Sequence, residues 1–265
     1  MCFVYECRAA GWPREEPSHP DYQGMWVEGG YCYFFFNTPQ DDFFRQWLRK
    51  NPKLRLVNFY SFHPSRWQTF STAIVVAGLK IVTVAPPKAS PASPDIIYLK
   101  KGTSFGSGLH PTTKGCIVAL RHAFSTSVPS VVLDCGTGSG ILAIVAAKLG
   151  AKLVIASDIN PLALRELKEN ANINRVKNKI KSAIGDGLSC FELQKVDLAV
   201  MNLEWPSLNS VLRNQPWQKC KQLIISGFPA YLQSVVKGLT RKSHYTEKDF
   251  TIENWKTLLL RSKES

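Results

Sequence analysis

Asp134-Cys135-Gly136-Thr137-Gly138-Ser139-Gly140 follows the apolar run Val131–Leu133 and opens the helix-like run Ile141–Leu149. A glycine-rich turn between a strand and a helix binds cofactors. Its glycines let the backbone come close to a ligand and take φ values that a Cβ resists, while the first N–H groups of the helix face outward. The spacing narrows the choice of cofactor. A dinucleotide fingerprint needs a third glycine where Ile141 stands, and no Gly-Lys-Ser/Thr follows the turn to make a P-loop. A second apolar run, Leu153–Ser157, ends in Asp158, 18 residues beyond Gly140. One strand on, at about 20 residues, is where an acid accepts the hydroxyls of a nucleoside ribose. The other role open to Asp158 is to cap the helix that Asn160-Pro161 starts and that continues to about Asn174.

An acidic residue at a strand end followed by alternating glycines resembles the first motif of class I S-adenosylmethionine-dependent methyltransferases. Asp186, closing a third predicted strand over Lys181–Ile184, stands where that fold places a group on the adenine amine; a plain turn aspartate is the alternative. Upstream lies Phe105-Gly106-Ser107-Gly108-Leu109-His110-Pro111-Thr112-Thr113, in which two glycines make a mobile loop and the threonine pair can cap the following helix. With the glycine turn downstream, this string resembles the Phe-Gly-Thr-Gly-x-His-x-Thr-Thr signature of the bacterial methyltransferases that modify large-subunit ribosomal protein L-11. The resemblance continues through Asp158-Ile159-Asn160-Pro161, Glu169-Asn170-Ala171 with Asn174, Val196-Asp197-Leu198 with Asn202, and Leu223–Gly227, covering roughly residues 67 to 261.

The resemblance implies that Thr113, Gly136, Asp158 and Asn202 bind S-adenosylmethionine together with Asp134, Gly138, Gly140, Asp186 and Phe105. Phe105–His110 would form a lid over the methyl group. Methyl transfer to an amine is an in-line displacement that requires a neutral nitrogen. The carbonyl of Asn202 is the expected acceptor for the incoming amine, with His110 and Glu204 as candidate bases. Two departures from the family stand out: Ser107 replaces a threonine, and Asn-Ile-Leu-Ala becomes Asn202-Leu203-Glu204-Trp205. Trp205 is either core or a surface for a cation. Asn202-x-x-Trp205 also echoes the Asn-Pro-Pro-aromatic motif of amide and adenine N-methyltransferases, although Leu203 and Glu204 replace both prolines. A non-catalytic, RNA-associated protein that keeps the fold is the reading from another class.

The elements that must position these residues come in two groups. Residues 1–20, with Pro13, Pro17 and Pro20, read as an irregular leader; residues 21–66 read as a small α/β domain. In that domain a strand at Tyr31–Phe36, a helix opened by Thr38-Pro39 and a strand at Leu54–Tyr60 are expected. It has room for about half of the family's recognition domain. Residues 67–100 read as a linker holding a proline-rich connector from Pro86 to Pro94. Residues 101–265 form the methyltransferase domain. There, after the first three strands, come a strand at Val196–Met201, a helix after Pro206, a strand at Gln222–Ser226, a helix at about Pro229–Leu239, and strands near Asp249–Ile252 and Trp255–Arg261. The alternation predicts an α/β fold: a Rossmann-like, seven-stranded, mostly parallel sheet with helices on both faces and an antiparallel edge.

The composition suits an enzyme with a real core, with 45% hydrophobic residues in 265. Glu6 and Arg8 interrupt any export signal, and Lys80 breaks the longest apolar run, Ala73–Val84, so the expectation is a cytoplasmic chain without a membrane span. Seven cysteines without a C-x-x-C pair and five scattered histidines predict neither a disulfide framework nor a metal site. The net charge is +13, and residues 101–265 carry most of it, with 22 Lys/Arg against 12 Asp/Glu. Such a surface suits contact with RNA through phosphates, besides the ribosomal-protein substrate; solvated helix faces or a generally basic proteome are the alternative reading.

Overall fold

The computed structural model describes residues 2–11, 13, 15–28, 31–62, 73–83, 93–100, 110–185, 188, 192–214 and 216–263. The chain divides into two compact units, Met1–Ser71 and Thr72–Ser265.

In the larger unit the strands are β5 (Ala73–Val76), β6 (Leu79–Val82), β7 (Ile96–Tyr98), β8 (Val131–Cys135), β9 (Leu153–Asp158), β10 (Ile180–Ile184), β11 (Leu198–Asn202), β12 (Gln222–Pro229), β13 (His244–Ile252) and β14 (Trp255–Ser262). The helices are α2 (Pro111–Thr126), α3 (Ile141–Leu149), α4 (Pro161–Ile173), α5 (Trp205–Asn214) and α6 (Gln233–Thr240), α1 belonging to the smaller unit. Seven strands form one sheet in the order β10-β9-β8-β11-β12-β14-β13. The first five are parallel, and β14 pairs antiparallel with both β12 and β13, as the alternation of runs predicts. Successive side chains on a strand point to opposite faces, and both faces here are covered. Val132, Val154, Leu198, Val200 and Ile224 meet α2, α3 and α4 in one core. Leu133, Ala199, Met201, Leu223 and Ile225 meet α5 and α6 in the other. Burial on both faces explains why these strands read as unbroken apolar runs.

The stretch assigned to a linker is structured: β5, β6 and β7 form a three-stranded sheet, with β5 and β6 joined as a hairpin through Ala77 (φ 48°) and Gly78 (φ 78°). Val76, Leu79, Ile81 and Ile97 bury into the core that α2 lines. Of the proline-rich connector only Ser93 and Pro94 fall among the described residues.

The smaller unit contains β1 (Cys2–Ala9), β2 (Tyr22–Glu28), β3 (Tyr31–Phe36), α1 (Asp41–Arg49) and β4 (Leu54–Phe62). Its sheet has the order β2-β3-β1-β4, antiparallel throughout. The expectation of an irregular leader over residues 1–20 is therefore corrected. Cys2–Ala9 is an inner strand, with Val4, Tyr5 and Cys7 buried while Arg8 stays exposed. The prolines that suggested a loose segment all lie after it. The helix starts at Asp41 rather than at Thr38-Pro39: two aspartates in the first turn complement its N-terminal dipole, while Thr38 Oγ1 donates to Asp21 Oδ2 at 2.6 Å. The core is aromatic. Tyr5 stacks on Phe44 at 4.4 Å between ring centroids and accepts a hydrogen bond from the Gln40 N–H at 2.7 Å.

Tyr5→Ala removes a buried ring and that acceptor. We expect a loss of about 3–5 kcal/mol of stability for the smaller unit, the usual range for a large aromatic removed from a core. Urea titration followed by near-UV circular dichroism measures it, and a change under about 1 kcal/mol would return these residues to a loose leader.

Candidate functional site

The glycine turn leaves the end of β8 with Gly136, Gly138 and Gly140 all at positive φ (72°, 54° and 83°). It is laid across the neighbouring strand: the N–H groups of Gly136 and Thr137 both donate to the Ser157 carbonyl on β9, each at 2.9 Å. A Cβ at two of the three glycines would press on a leucine side chain as well as face the positive φ. At Gly136 it would lie 2.3 Å from Leu203 Cδ2, and at Gly140 it would lie 2.2 Å from Leu167 Cδ1. Gly140 is thus required by the packing of α3 against α4, whereas Gly136 is required by the loop that leaves β11.

Asp158 ends β9 beside this turn. One carboxylate oxygen accepts from the Gly138 N–H and the other from the Asn160 N–H, both at 2.9 Å. The cap of α4 is Asn160, whose Oδ1 accepts from the Leu162 N–H at 2.9 Å, so the capping role open to Asp158 is taken by its neighbour. Burial raises the Asp158 carboxyl above its ordinary range, against the lowering effect of those N–H donors. Asp134 is buried under the turn and accepts from the Thr137 hydroxyl at 2.6 Å and from the Ala143 N–H at 3.1 Å. Desolvation pushes its carboxyl up to about 6.

Register places Met201 beside Cys135, so Asn202 lies next to Gly136 between β8 and β11. This is the point where the strand order reverses, and ligands of open parallel sheets bind there, beyond the C-terminal strand ends. Asn202 Nδ2 is 3.4 Å from the hydroxyl of Thr113, which is buried in the first turn of α2. Asn202 Oδ1 is buried and has no hydrogen-bond partner among the described residues, as is also true of Ser157 Oγ. Leaving such an atom unsatisfied costs about 1–3 kcal/mol. A Cβ-free turn, a carboxylate at the next strand end and an unpartnered amide oxygen together fit a nucleoside cofactor.

The helix cap expected from the threonine pair comes instead from His110. Its Nδ1 accepts from the Thr112 N–H at 3.3 Å and lies 2.8 Å from Thr112 Oγ1. The ring meets Trp255 edge-on at 4.9 Å, and burial lowers its pKa. With Nδ1 accepting at the cap, the proton of the neutral ring sits on Nε2, so His110 could act as a base only through Nδ1, by giving up the cap. Glu204 is exposed, and Trp205 packs against the second core at the start of α5. Phe105, the rest of the expected lid through Leu109, and Asp186 lie outside the described residues.

Four residues take a role at the site that the sequence reading did not assign to them. Leu203 fills the space over Gly136, and its carbonyl lies where a Cβ of Gly227 would be, 1.8 Å away. The Ser157 carbonyl carries the turn. Asn170 donates to the Ser139 carbonyl at 2.9 Å and accepts from the Lys100 N–H at 2.7 Å, while Asn174 clasps Tyr98 through both its N–H and its carbonyl. The available signal was two asparagines four residues apart on the buried side of an amphipathic helix.

A carboxyl at about 6 in the fold, against an ordinary 3.8, binds its proton more tightly folded than unfolded. Its contribution to stability is full below about pH 4 and is lost as pH rises through about 6. Asp134→Asn does not titrate and can keep both hydrogen bonds. Its stability relative to the parent should rise between about pH 4 and 7 by up to roughly 3 kcal/mol. Denaturant melts across that range measure this, and a flat difference contradicts the buried charge.

A family model described as Ribosomal protein L11 methyltransferase (PrmA) matches residues 65–263. Ribosomal protein L11 methyltransferases of *Aquifex aeolicus*, *Bradyrhizobium diazoefficiens* and *Bacillus cereus* are 43%, 33% and 30% identical to the chain over 124, 175 and 205 residues. These alignments cover 44%, 62% and 74% of the chain and 46%, 58% and 64% of the relatives. The chain thus spans about half to two thirds of the length of these relatives. A solved ribosomal protein L11 methylase from *Lactobacillus delbrueckii* subsp. *bulgaricus* superposes with a TM-score of 0.60 at 28% identity, covering 73% of this chain and all of that one. Since the family model covers most of the chain and the glycine turn, Asp158 and Asn202 all fall within it, the chain belongs to the ribosomal protein L11 methyltransferase family.

Proposed function

We propose that the chain transfers methyl groups from S-adenosylmethionine to amino groups of a protein, lysine side chains or the N-terminus, and that its substrate is a large-subunit ribosomal protein of the L11 kind. The observation that carries this reading is the buried, unpartnered Oδ1 of Asn202 beside the glycine turn. It is an acceptor available for the N–H of an incoming amine. The relatives' names support the substrate, and the reading places the protein in the cytoplasm. Among the described residues no helix is long and apolar enough to cross a membrane.

In this reading Asp158 holds the ribose hydroxyls of the cofactor, and Gly136, Gly138 and Gly140 with Asp134 shape the turn against it. Thr113 supports the Asn202 amide. Asp186 serves the adenine amine, and Phe105 belongs to the lid. The cofactor supplies an electrophilic methyl on a sulfonium. The chain's own task is to present a neutral nitrogen in line and to exclude water. A lysine of ordinary pKa, about 10.4, is neutral in only about one molecule in a few thousand at pH 7, a penalty of roughly 4–5 kcal/mol. A hydrogen bond from the amine to Asn202 Oδ1 would orient the nitrogen lone pair. The carboxylate of Glu204 and His110 are the groups proposed to take the released proton, His110 at Nδ1 on giving up its cap.

Incubation with methyl-labelled S-adenosylmethionine and purified L11 tests the reading. Label on lysine or N-terminal nitrogen is the expected outcome, and cofactor binding without label on any protein would favour a non-catalytic role. Asp158→Ala should weaken the cofactor by at least tenfold in calorimetry, since a charged hydrogen-bond acceptor is worth about 1.5–3 kcal/mol. Asn202→Ala should lower kcat by about tenfold or more, as expected for a group acting on the reacting amine. Normal turnover by that variant removes the orienting role.

A further inference from the structure

The edge of the seven-stranded sheet opposite the glycine turn collects positive charge from segments far apart in sequence. Register sets Ile180 beside Val154, Val132 beside Leu198, Leu198 beside Gln222, Gln222 beside Arg261 and Arg261 beside Tyr245. The residues just before or beyond this row are therefore neighbours along one edge: Lys177, Lys152, Lys219, Lys242 and Arg241. All five are exposed, and none has a side-chain hydrogen bond or ion pair among the described residues. The acids at this edge are already matched, Asp197 by Lys221 at 2.9 Å, Glu192 by Lys195 and Glu247 by Arg261 at 2.8 Å. The five remaining cations are uncompensated. Six strand intervals at about 4.8 Å make the edge roughly 29 Å wide, enough to track several phosphates of an extended strand.

A pocket of about 240 Å³ opens in the middle of this row, lined by Ser127, Ser130, Asp197, Lys221, Gln222 and Arg261. Gln222 is 7% exposed, and its side-chain amide has no hydrogen-bond partner among the described residues. A primary amide lining the pocket, with donor and acceptor both unused by the described residues, matches the hydrogen-bonding edge of a nucleobase.

We propose that this edge binds single-stranded RNA, with phosphates along the lysine row and one base in the pocket against the Gln222 amide. The choice of RNA rests on the ribosomal-protein reading; the phosphate row and the pocket do not. An acidic protein would leave the pocket unexplained. A lipid surface is disfavoured because only two large apolar side chains, Val128 in the pocket wall and Tyr245 beside Arg261, are exposed there among the described residues.

The test is fluorescence anisotropy with a labelled single-stranded RNA of about 12 nucleotides, within the footprint of known single-strand binders. Affinity should fall with salt, with a logarithmic slope of about −0.7 per phosphate contact. The triple variant K152E/K219E/K242E should bind at least about tenfold more weakly, with a slope flatter by about 2. It should keep its S-adenosylmethionine affinity, which also shows that it is folded and separates this result from failure of the methyl-transfer reading. Gln222→Met, similar in volume, should weaken binding several-fold without changing the slope. Undetectable binding at low salt overturns the proposal, as does an unchanged triple variant. Tighter binding to single-stranded DNA of the same sequence, or to phosphatidylglycerol vesicles that RNA cannot displace, would assign the edge to another partner.

Discussion

The ends of β8, β11 and β12 approach one another so closely that a Cβ at Gly136 or Gly227 would come within 2.3 Å of Leu203. Leu203 is the wedge between them. Its side chain lies over Gly136 and its carbonyl against Gly227, whose φ of 95° accompanies a register shift between Ser226 and Phe228 on β12. Asn202 immediately precedes this wedge, so the backbone that presents its amide is held from both sides. A methyl group at 227 would meet the Leu203 backbone, and the amide would move with it, whereas at 136 it would meet the end of the Leu203 side chain and face a φ of 72°. The geometry of the site thus depends on a steric condition at residues that carry no functional group of their own.

A second set of contacts ties the turn to the rest of the unit. The Ser157 carbonyl receives two N–H groups of the turn, and Asn170 reaches from α4 to the Ser139 carbonyl while holding the Lys100 N–H. The chain entering residue 101 and the turn that follows β8 are therefore fastened to the same side chain. Two carboxyls sit within this frame: Asp134 is buried outright, and the charge of Asp158 pushes it up further. A cationic ligand at that edge would relieve both.

What could be read from sequence was what is local. Val131–Leu133, the alternating glycines and Asp158 are contiguous or separated by one βα step, and their chemistry follows from spacing. β1 was hidden because its exposed face carries Glu6 and Arg8 and because three prolines follow it, although Phe3, Tyr5 and Cys7 alternate as an inner strand requires. The β5–β6 hairpin was hidden by its turn, since Ala77-Gly78 lacks the Asn-Gly or Asp-Gly signal and Ala77 takes a positive φ without a polar side chain to favour it. His110 as a helix cap, the role of Leu203 and the unpartnered amide of Asn202 depend on strand order and register, which spacing along the chain does not encode.

Strand direction also separates the charges. Helices return antiparallel to the strands, so their N-termini gather at the site edge and their C-termini at the other. The helix dipole favours anions at the first and cations at the second. Some of the basic edge has that local origin: Lys148 lies in the last turn of α3, and Lys179 donates to the carbonyl of Ala147 in the same turn. Lys152 and Lys242 lie beyond the helical turns to which the dipole effect is confined, and Lys219 sits in a single 3-10 turn. They contact no carbonyl or carboxylate among the described residues. Nothing there offsets their charge, and a polyanion seated along the edge would.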